Sequence, residues 1–222
     1  MSTIKTTFNR HRDFLKYLFA ITLLLLILRL FDVDKNNLYF MFLFGKLQSG
    51  RADLLSTGTF FLNKIFEILF LSAKFEKLFT MLAYIISRHT DLRKKIFKKT
   101  FFVSAIDSLS VSCFLFAEIT IFSGGFKLEN IYLFAIHFLS LMILQSLICI
   151  LFLHKMSSTG VRAVIIMLGL AFCIAIPSRL FRMIANSLNL ILISFFIFCL
   201  LAMILNIYIF GNFDCIGKEK NK

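Results

Sequence analysis

Lys64 and Glu67 stand three residues apart in the otherwise apolar stretch LLSTGTFFLNKIFEILFLSA, residues 54–73. A helix there places both on one face. Charges are costly in hydrocarbon and turn toward a protein interior or a water-filled path. Two readings follow, a local ion pair or a pair facing a cargo. Asp107, Glu118 and His137 also fall inside apolar runs, and with Lys64 and Glu67 they form a candidate intramembrane polar path. Asp107 lies near the inner end of its run, in reach of Lys98, Lys99 or a basic partner helix. Glu118 lies near the outer end, from which it can snorkel. His137 reads as a packed or hydrogen-bonded helix residue. The sequence fixes no partner for any of them, so no acid/base pair is defined.

Other chemistry finds little support. The chain contains no GxxxxGK[ST] phosphate loop, no HExxH and no GxSxG. The histidines His11, His89, His137 and His154 are scattered. Of the five cysteines, Cys113, Cys149, Cys173 and Cys199 lie inside apolar runs, Cys215 near the end, and none forms a CxxC pair. They read as small apolar residues. No catalytic residue, cofactor site or metal site is expected, and the chain is not expected to be an enzyme.

The elements that must position these residues are long apolar helices. With 59% hydrophobic residues, thirty Phe and one Pro, the chain exceeds the apolar content of soluble domains. A span needs about 20 apolar residues. The runs give an all-α, polytopic single transmembrane domain over 1–222, with six spans at about 14–31, 54–73, 101–123, 130–153, 161–176 and 190–211. The basic residues before the first run resemble a signal peptide, but Arg29 and Asp32 follow with no small-residue cleavage site, so a retained span is expected. Ile4, Phe8, His11 and Leu15 share a helical face, which suits a short helix on the inner membrane surface or a frayed tail. The aromatic run LYFMFLF, 38–44, is too short to span and suits an external loop dipping into the interface, with Gly45 and Gly50 as breakers. Residues 178–189, after Pro177, suit a short external or re-entrant helix. The aromatic run, Arg179 and Arg182 are read as interfacial anchors or cargo contacts.

A net charge of +13 on a soluble chain would suggest nucleic acid. Here the charges lie between apolar segments, so topology accounts for them and no nucleic-acid partner is expected. Six spans put both termini on one side, and that side carries 17 Lys and Arg against seven opposite. The positive-inside rule then makes the termini of a multi-pass membrane protein cytoplasmic.

The densest positive charge lies in Lys74–Thr100, KFEKLFTMLAYIISRHTDLRKKIFKKT, with eight of the 25 basic residues. Thr90 suits an N-cap, with Asp91 just inside to favour the helix dipole. A helix from there runs into the third span. Residues 78–86 either extend the second span as one long helix or lie at the interface. The interfacial or cytoplasmic reading is preferred, because a continuous span would draw Lys74, Glu76 and Lys77 toward mid-membrane. Contact with anionic lipid is a further account of the charge.

This segment resembles the basic stretch between spans 2 and 3 in the membrane subunits of ABC-2 type exporters from Gram-positive bacteria. In that family an acidic residue, an apolar run, Ser-Arg and a charged helix follow one another. Here Glu76, residues 78–86, Ser87-Arg88 and residues 90–99 stand in that order. Lys77-Leu78 replaces the family's usual Gly-Thr or Gly-Tyr after the Glu. The break at Pro177 resembles the family's re-entrant turn between spans 5 and 6. The resemblance implies six spans, cytoplasmic termini and an N-terminal interfacial helix. It also implies a separate ABC ATP-binding subunit docked on Glu76, Arg88, Asp91, Arg93, Lys94 and Lys95, and a second membrane subunit in a homo- or heterodimer. Small members serve peptide-antibiotic export or self-immunity.

Three functions compete. The first is the permease subunit of an ATP-driven exporter. The second is a non-transporting immunity or scaffold protein that binds a toxin or partner directly. The third, a secondary carrier, ranks last because residues 14–123 and 130–211 show no convincing inverted repeat.

Overall fold

The computed structural model describes residues 2–31, 33, 37–47, 49, 51–86, 92–123, 125, 128–153, 158–175 and 187–212. These form seven helices: α1 (Ser2–Leu30), α2 (Leu38–Phe44), α3 (Leu54–Ile86), α4 (Leu92–Ser123), α5 (Leu128–Leu153), α6 (Ser158–Ala175) and α7 (Leu188–Asn212). No strand occurs among the described residues. α3 and α5 make the centre of the bundle. α3 touches α1, α2, α4, α5 and α6, and α5 packs against α2, α3, α4, α6 and, most extensively, α7.

Each central helix turns one stripe inward at helical spacing. On α3 the stripe is Ser56, Phe60, Asn63, Glu67 and Leu71, all buried. On α4 it is Ser104, Ser108, Val111, Ser112, Leu115 and Ile119. α1 contributes Tyr17, Ile21, Leu24, Leu25 and Leu28, while Leu15, Phe19, Leu26 and Leu30 face outward.

The outside of the bundle is as apolar as the inside. α7 exposes Leu190, Ile193, Phe196, Ile197, Phe198, Leu201, Ile204 and Ile207 and buries Asn206. Ser, Asn, Gln, Glu and His occupy the interior. Water would reverse that arrangement; hydrocarbon outside and hydrogen-bonded polar groups between helices accord with it. Four helices are long and apolar enough to cross a membrane, through Leu54–Ser72, Phe101–Ser123, Asn130–Leu151 and Asn189–Tyr208. They coincide with the second, third, fourth and sixth spans expected from the sequence.

Local signals account for the breaks. Asp53 caps α3: its Oδ1 accepts the Ser56 N–H at 2.6 Å, and Ser56 Oγ accepts the Asp53 N–H at 3.1 Å, a reciprocal pair of the capping-box kind. α2 ends at Gly45, whose φ of 65° is left-handed and whose N–H donates to the Met41 carbonyl at 3.1 Å.

Three expectations change. The 38–44 run is a short helix with every residue buried, packed against α3, α4 and α5, so it is part of the core rather than a loop dipping into the interface. Residues 2–16 belong to α1 and continue unbroken into the first apolar run, so they form no separate surface helix. Residues 74–86 continue α3 without interruption. The apolar window ends at Ser72, so the charged turn at Lys74–Lys77 follows the span on the same helix. The cap expected at Thr90-Asp91 and the short helix expected at 178–189 fall almost wholly outside the described residues.

Candidate site: a buried polar cluster between α3, α4 and α5

The inward stripe of α3 brings Asn63, Lys64 and Glu67 to the helix interface at the middle of its apolar window. Glu67 is 1% exposed and holds three donors. Its Oε2 accepts Lys64 Nζ at 2.7 Å. Its Oε1 accepts Asn63 Nδ2 at 2.8 Å and faces His137 Nε2 at 2.9 Å. The first two contacts follow from i, i+3 and i, i+4 spacing on one helix. The third crosses to α5 and exists only because α3 and α5 pack.

His137 is equally buried. Its Nδ1 lies 3.0 Å from Ser112 Oγ on α4. A neutral imidazole protonated at Nε2 donates to Glu67 and accepts the Ser112 hydroxyl proton; an imidazolium donates to both neighbours. Either form satisfies both ring nitrogens, so the cluster can hold or release one proton without losing a contact. Lys64, Glu67, His137 and Ser112 thus make one hydrogen-bonded chain through three helices. Asn63 Nδ2 also lies 3.4 Å from the Phe42 carbonyl, which ties the chain to α2.

Further polar contacts lie apart from this chain. Gln145 Nε2 donates to Ser108 Oγ at 2.8 Å between α5 and α4. Asn206 Nδ2 reaches the Ser146 carbonyl at 3.3 Å and ties α7 to α5. Arg162 Nε donates to Ser72 Oγ at 3.0 Å between α6 and α3. Tyr39 donates its hydroxyl proton to the Phe116 carbonyl at 3.1 Å.

Lys64 has a second environment. Its ammonium lies 5.8 Å from the centre of the Phe60 ring, and the residue lines a cavity of about 230 Å³ between α2, α3, α5, α6 and α7. The other lining groups are apolar apart from Ser140, whose hydroxyl donates to the His137 carbonyl at 2.7 Å.

Of the five residues of the expected polar path, Lys64, Glu67 and His137 come together. Glu118 stands elsewhere, its Oε1 accepting Thr22 Oγ1 from α1 at 3.4 Å. Asp107 is buried on the inward stripe of α4. Lys64 and Glu67 form the local ion pair, and Lys64 also lines the cavity. Of the expected docking residues, Glu76 lies on α3 past its apolar window, and Arg93, Lys94 and Lys95 lie in the first turns of α4. Arg88 and Asp91 fall outside the described residues. Sequence reasoning missed Asn63 and Ser112. The signal for Ser112 was present in Ser104, Ser108 and Ser112, which recur at i, i+4 and i+8.

Among the described residues no group of three His, Cys, Asp or Glu side chains is placed to hold a metal ion. Comparison with protein-family models, with curated proteins and with solved structures finds no match.

Proposed function

We propose that this chain is the membrane-spanning permease subunit of an ATP-driven exporter of the ABC-2 type. It crosses a bacterial plasma membrane six times with both termini in the cytoplasm. A separate ATPase hydrolyses ATP, and a second membrane subunit completes the path for a cargo of the peptide-antibiotic kind.

The observation that carries this reading is the length of α3 and α4. They have 33 and 32 residues, about 50 Å each at 1.5 Å per residue, against a hydrocarbon core of about 30 Å. α3 runs 14 residues past its apolar window, and α4 starts nine residues before its own. Those two extensions and the segment joining them hold eight basic residues. The two extensions supply a helical lever continuous with the spans. The Lys64–Glu67 pair sits on the same rigid helix as the Lys74–Lys77 turn. Movement of that lever by an ATPase therefore shifts Glu67 against His137 of α5, and the polar cluster is the element that such a stroke rearranges.

The test looks for an ABC-type ATPase encoded beside this gene and for its co-purification with this chain. Neutralising Arg93, Lys94 and Lys95 together with Arg88 is expected to abolish co-purification while membrane insertion persists. Unchanged co-purification would remove the docking role. Protection of cells from a toxin with no ATPase present would favour the non-transporting immunity reading instead.

A further inference from the structure

We propose that the cavity beside Lys64 binds a small, neutral, largely apolar molecule carrying a carbonyl-type acceptor. The proposal needs the membrane setting of the bundle but no ATPase partner, so it stands or falls separately from the exporter reading.

The walls set the body of the ligand. Phe60, Leu144, Ile165 and Phe195 are among the lining side chains, and they come from four helices. A sealed apolar cavity of about 150 Å³ admits benzene. The 230 Å³ here is open on one side and takes in about half as much again, roughly nine non-hydrogen atoms of the ligand.

Lys64 sets the head group. An ammonium has three N–H donors, and its one hydrogen bond among the described residues is to Glu67. The side chain is 18% exposed and the residue lines the cavity, which offers the remaining donors a place to meet an acceptor at a depth where water is scarce. Ser140 commits its proton to the His137 carbonyl, so Lys64 is the donor that a ligand meets. A hydrocarbon tail offers it no acceptor.

Charge sets the last property. Glu67 already neutralises Lys64 at 2.7 Å. With the His137 imidazole neutral, a carboxylate ligand would leave two negative charges against one positive in a low-dielectric site, where burial of unbalanced charge is costly. A neutral ketone or ester satisfies the ammonium without that cost.

The experiment uses the full chain in lipid nanodiscs with photoactivatable diazirine probes of equal length: a ketone, a carboxylate and an alkane. The ketone is expected to label α3 and α5 peptides saturably, in competition with unlabelled ketone, and above both other probes. Lys64→Met is expected to lower ketone labelling about tenfold or more, the usual worth of a hydrogen bond to a charged donor. Leu144→Trp fills the cavity from α5, leaves the Lys64–Glu67 pair intact and is expected to abolish labelling. That variant decides the matter should Lys64→Met fail to fold. Alkane labelling as strong as ketone labelling would assign the cavity to bilayer acyl chains and overturn the proposal. So would preference for the carboxylate, or ketone labelling that survives Leu144→Trp in a folded protein.

Discussion

Glu67 Oε1 and His137 Nε2 stand 2.9 Å apart although 70 residues separate them in the chain. The contact joins the two central helices through a side chain that also holds Lys64 and Asn63. Glu67 is thus the acceptor on which three donors converge, and its loss is not equivalent to the loss of any one of them.

Removing Glu67 alone strands the half-buried Lys64 ammonium among apolar side chains, whereas removing the pair does not. Breaking a buried ion pair from one side costs about 3 kcal/mol or more, while replacing both partners by apolar residues is often near neutral. Glu67→Ala is therefore expected to be less stable than Lys64→Met/Glu67→Leu, despite carrying fewer changes. Denaturation of both variants in detergent micelles gives the comparison. A double variant as unstable as Glu67→Ala would mean that the Asn63 and His137 contacts, not the charge, dominate.

Ser112 contributes less. It is one interhelical hydrogen bond to His137, and such bonds within membranes average about 0.6 kcal/mol and seldom exceed about 2 kcal/mol. Ser112→Ala is expected to fall in that range. Ser112→Leu adds bulk at a position 1% exposed and is expected to cost more, through overpacking. Unfolding of the two variants side by side separates the lost bond from the lost space.

Four of the six expected spans and the local pair were legible in the sequence, while the long-range contacts were not. Four apolar windows coincide with runs found by length and hydropathy, because hydrocarbon thickness is a constraint that a chain must display locally. Lys64 and Glu67 were legible because helical spacing alone brings them together. His137 and Ser112 meet through packing of α5 on α4, which no short-range pattern encodes. The 38–44 run misled because seven consecutive apolar residues carry no polar face to mark which side is buried. A core helix and an interfacial anchor then look alike.

The cap of α3 makes stability depend on acid. Desolvation pushes the Asp53 carboxyl up, but hydrogen bonds from the Ser56 N–H and hydroxyl, together with Arg51, hold it below the ordinary carboxylate value. Its folded pKa is thus lower than its unfolded pKa. The cap's contribution is full above the unfolded value of about 3.9 and is lost as pH falls through the folded value. Asp53→Ala is expected to cost about 1 kcal/mol at neutral pH and to erase that part of the acid dependence. Hydrogen exchange in the first turn of α3, followed from pH 6 down to pH 3 (about the range that brackets a carboxylate), measures both effects.

Two glycines predict opposite outcomes for the same substitution. Gly45 holds a left-handed φ of 65°, a conformation that costs an L-residue about 1 kcal/mol or more. Gly58 lies inside α3, and a Cβ there meets nothing within 4 Å. Gly45→Ala is expected to destabilise. Gly58→Ala is expected to stabilise by up to about 1 kcal/mol, the helix-propensity difference between the two residues. Thermal unfolding midpoints of the two variants moving in the same direction would contradict this account.

The last prediction concerns what surrounds the bundle. Cys113 lies on the outward face of α4 and is exposed, whereas Cys149 and Cys199 are buried. In water an exposed thiol would react readily with a polar maleimide. α4 is long and apolar enough to cross the bilayer through Phe101–Ser123, so Cys113 is expected to face hydrocarbon, which a charged reagent does not reach. A variant retaining Cys113 as its sole cysteine is expected to resist a membrane-impermeant maleimide in intact membranes. It is expected to react after the same membranes are dissolved in denaturing detergent. The apolar outer surface of α7 sets the companion case. Ile197→Cys, on that surface, is expected to behave as Cys113 does. Rapid labelling of either residue in intact membranes would place that face in water and remove its helix from the set of spans.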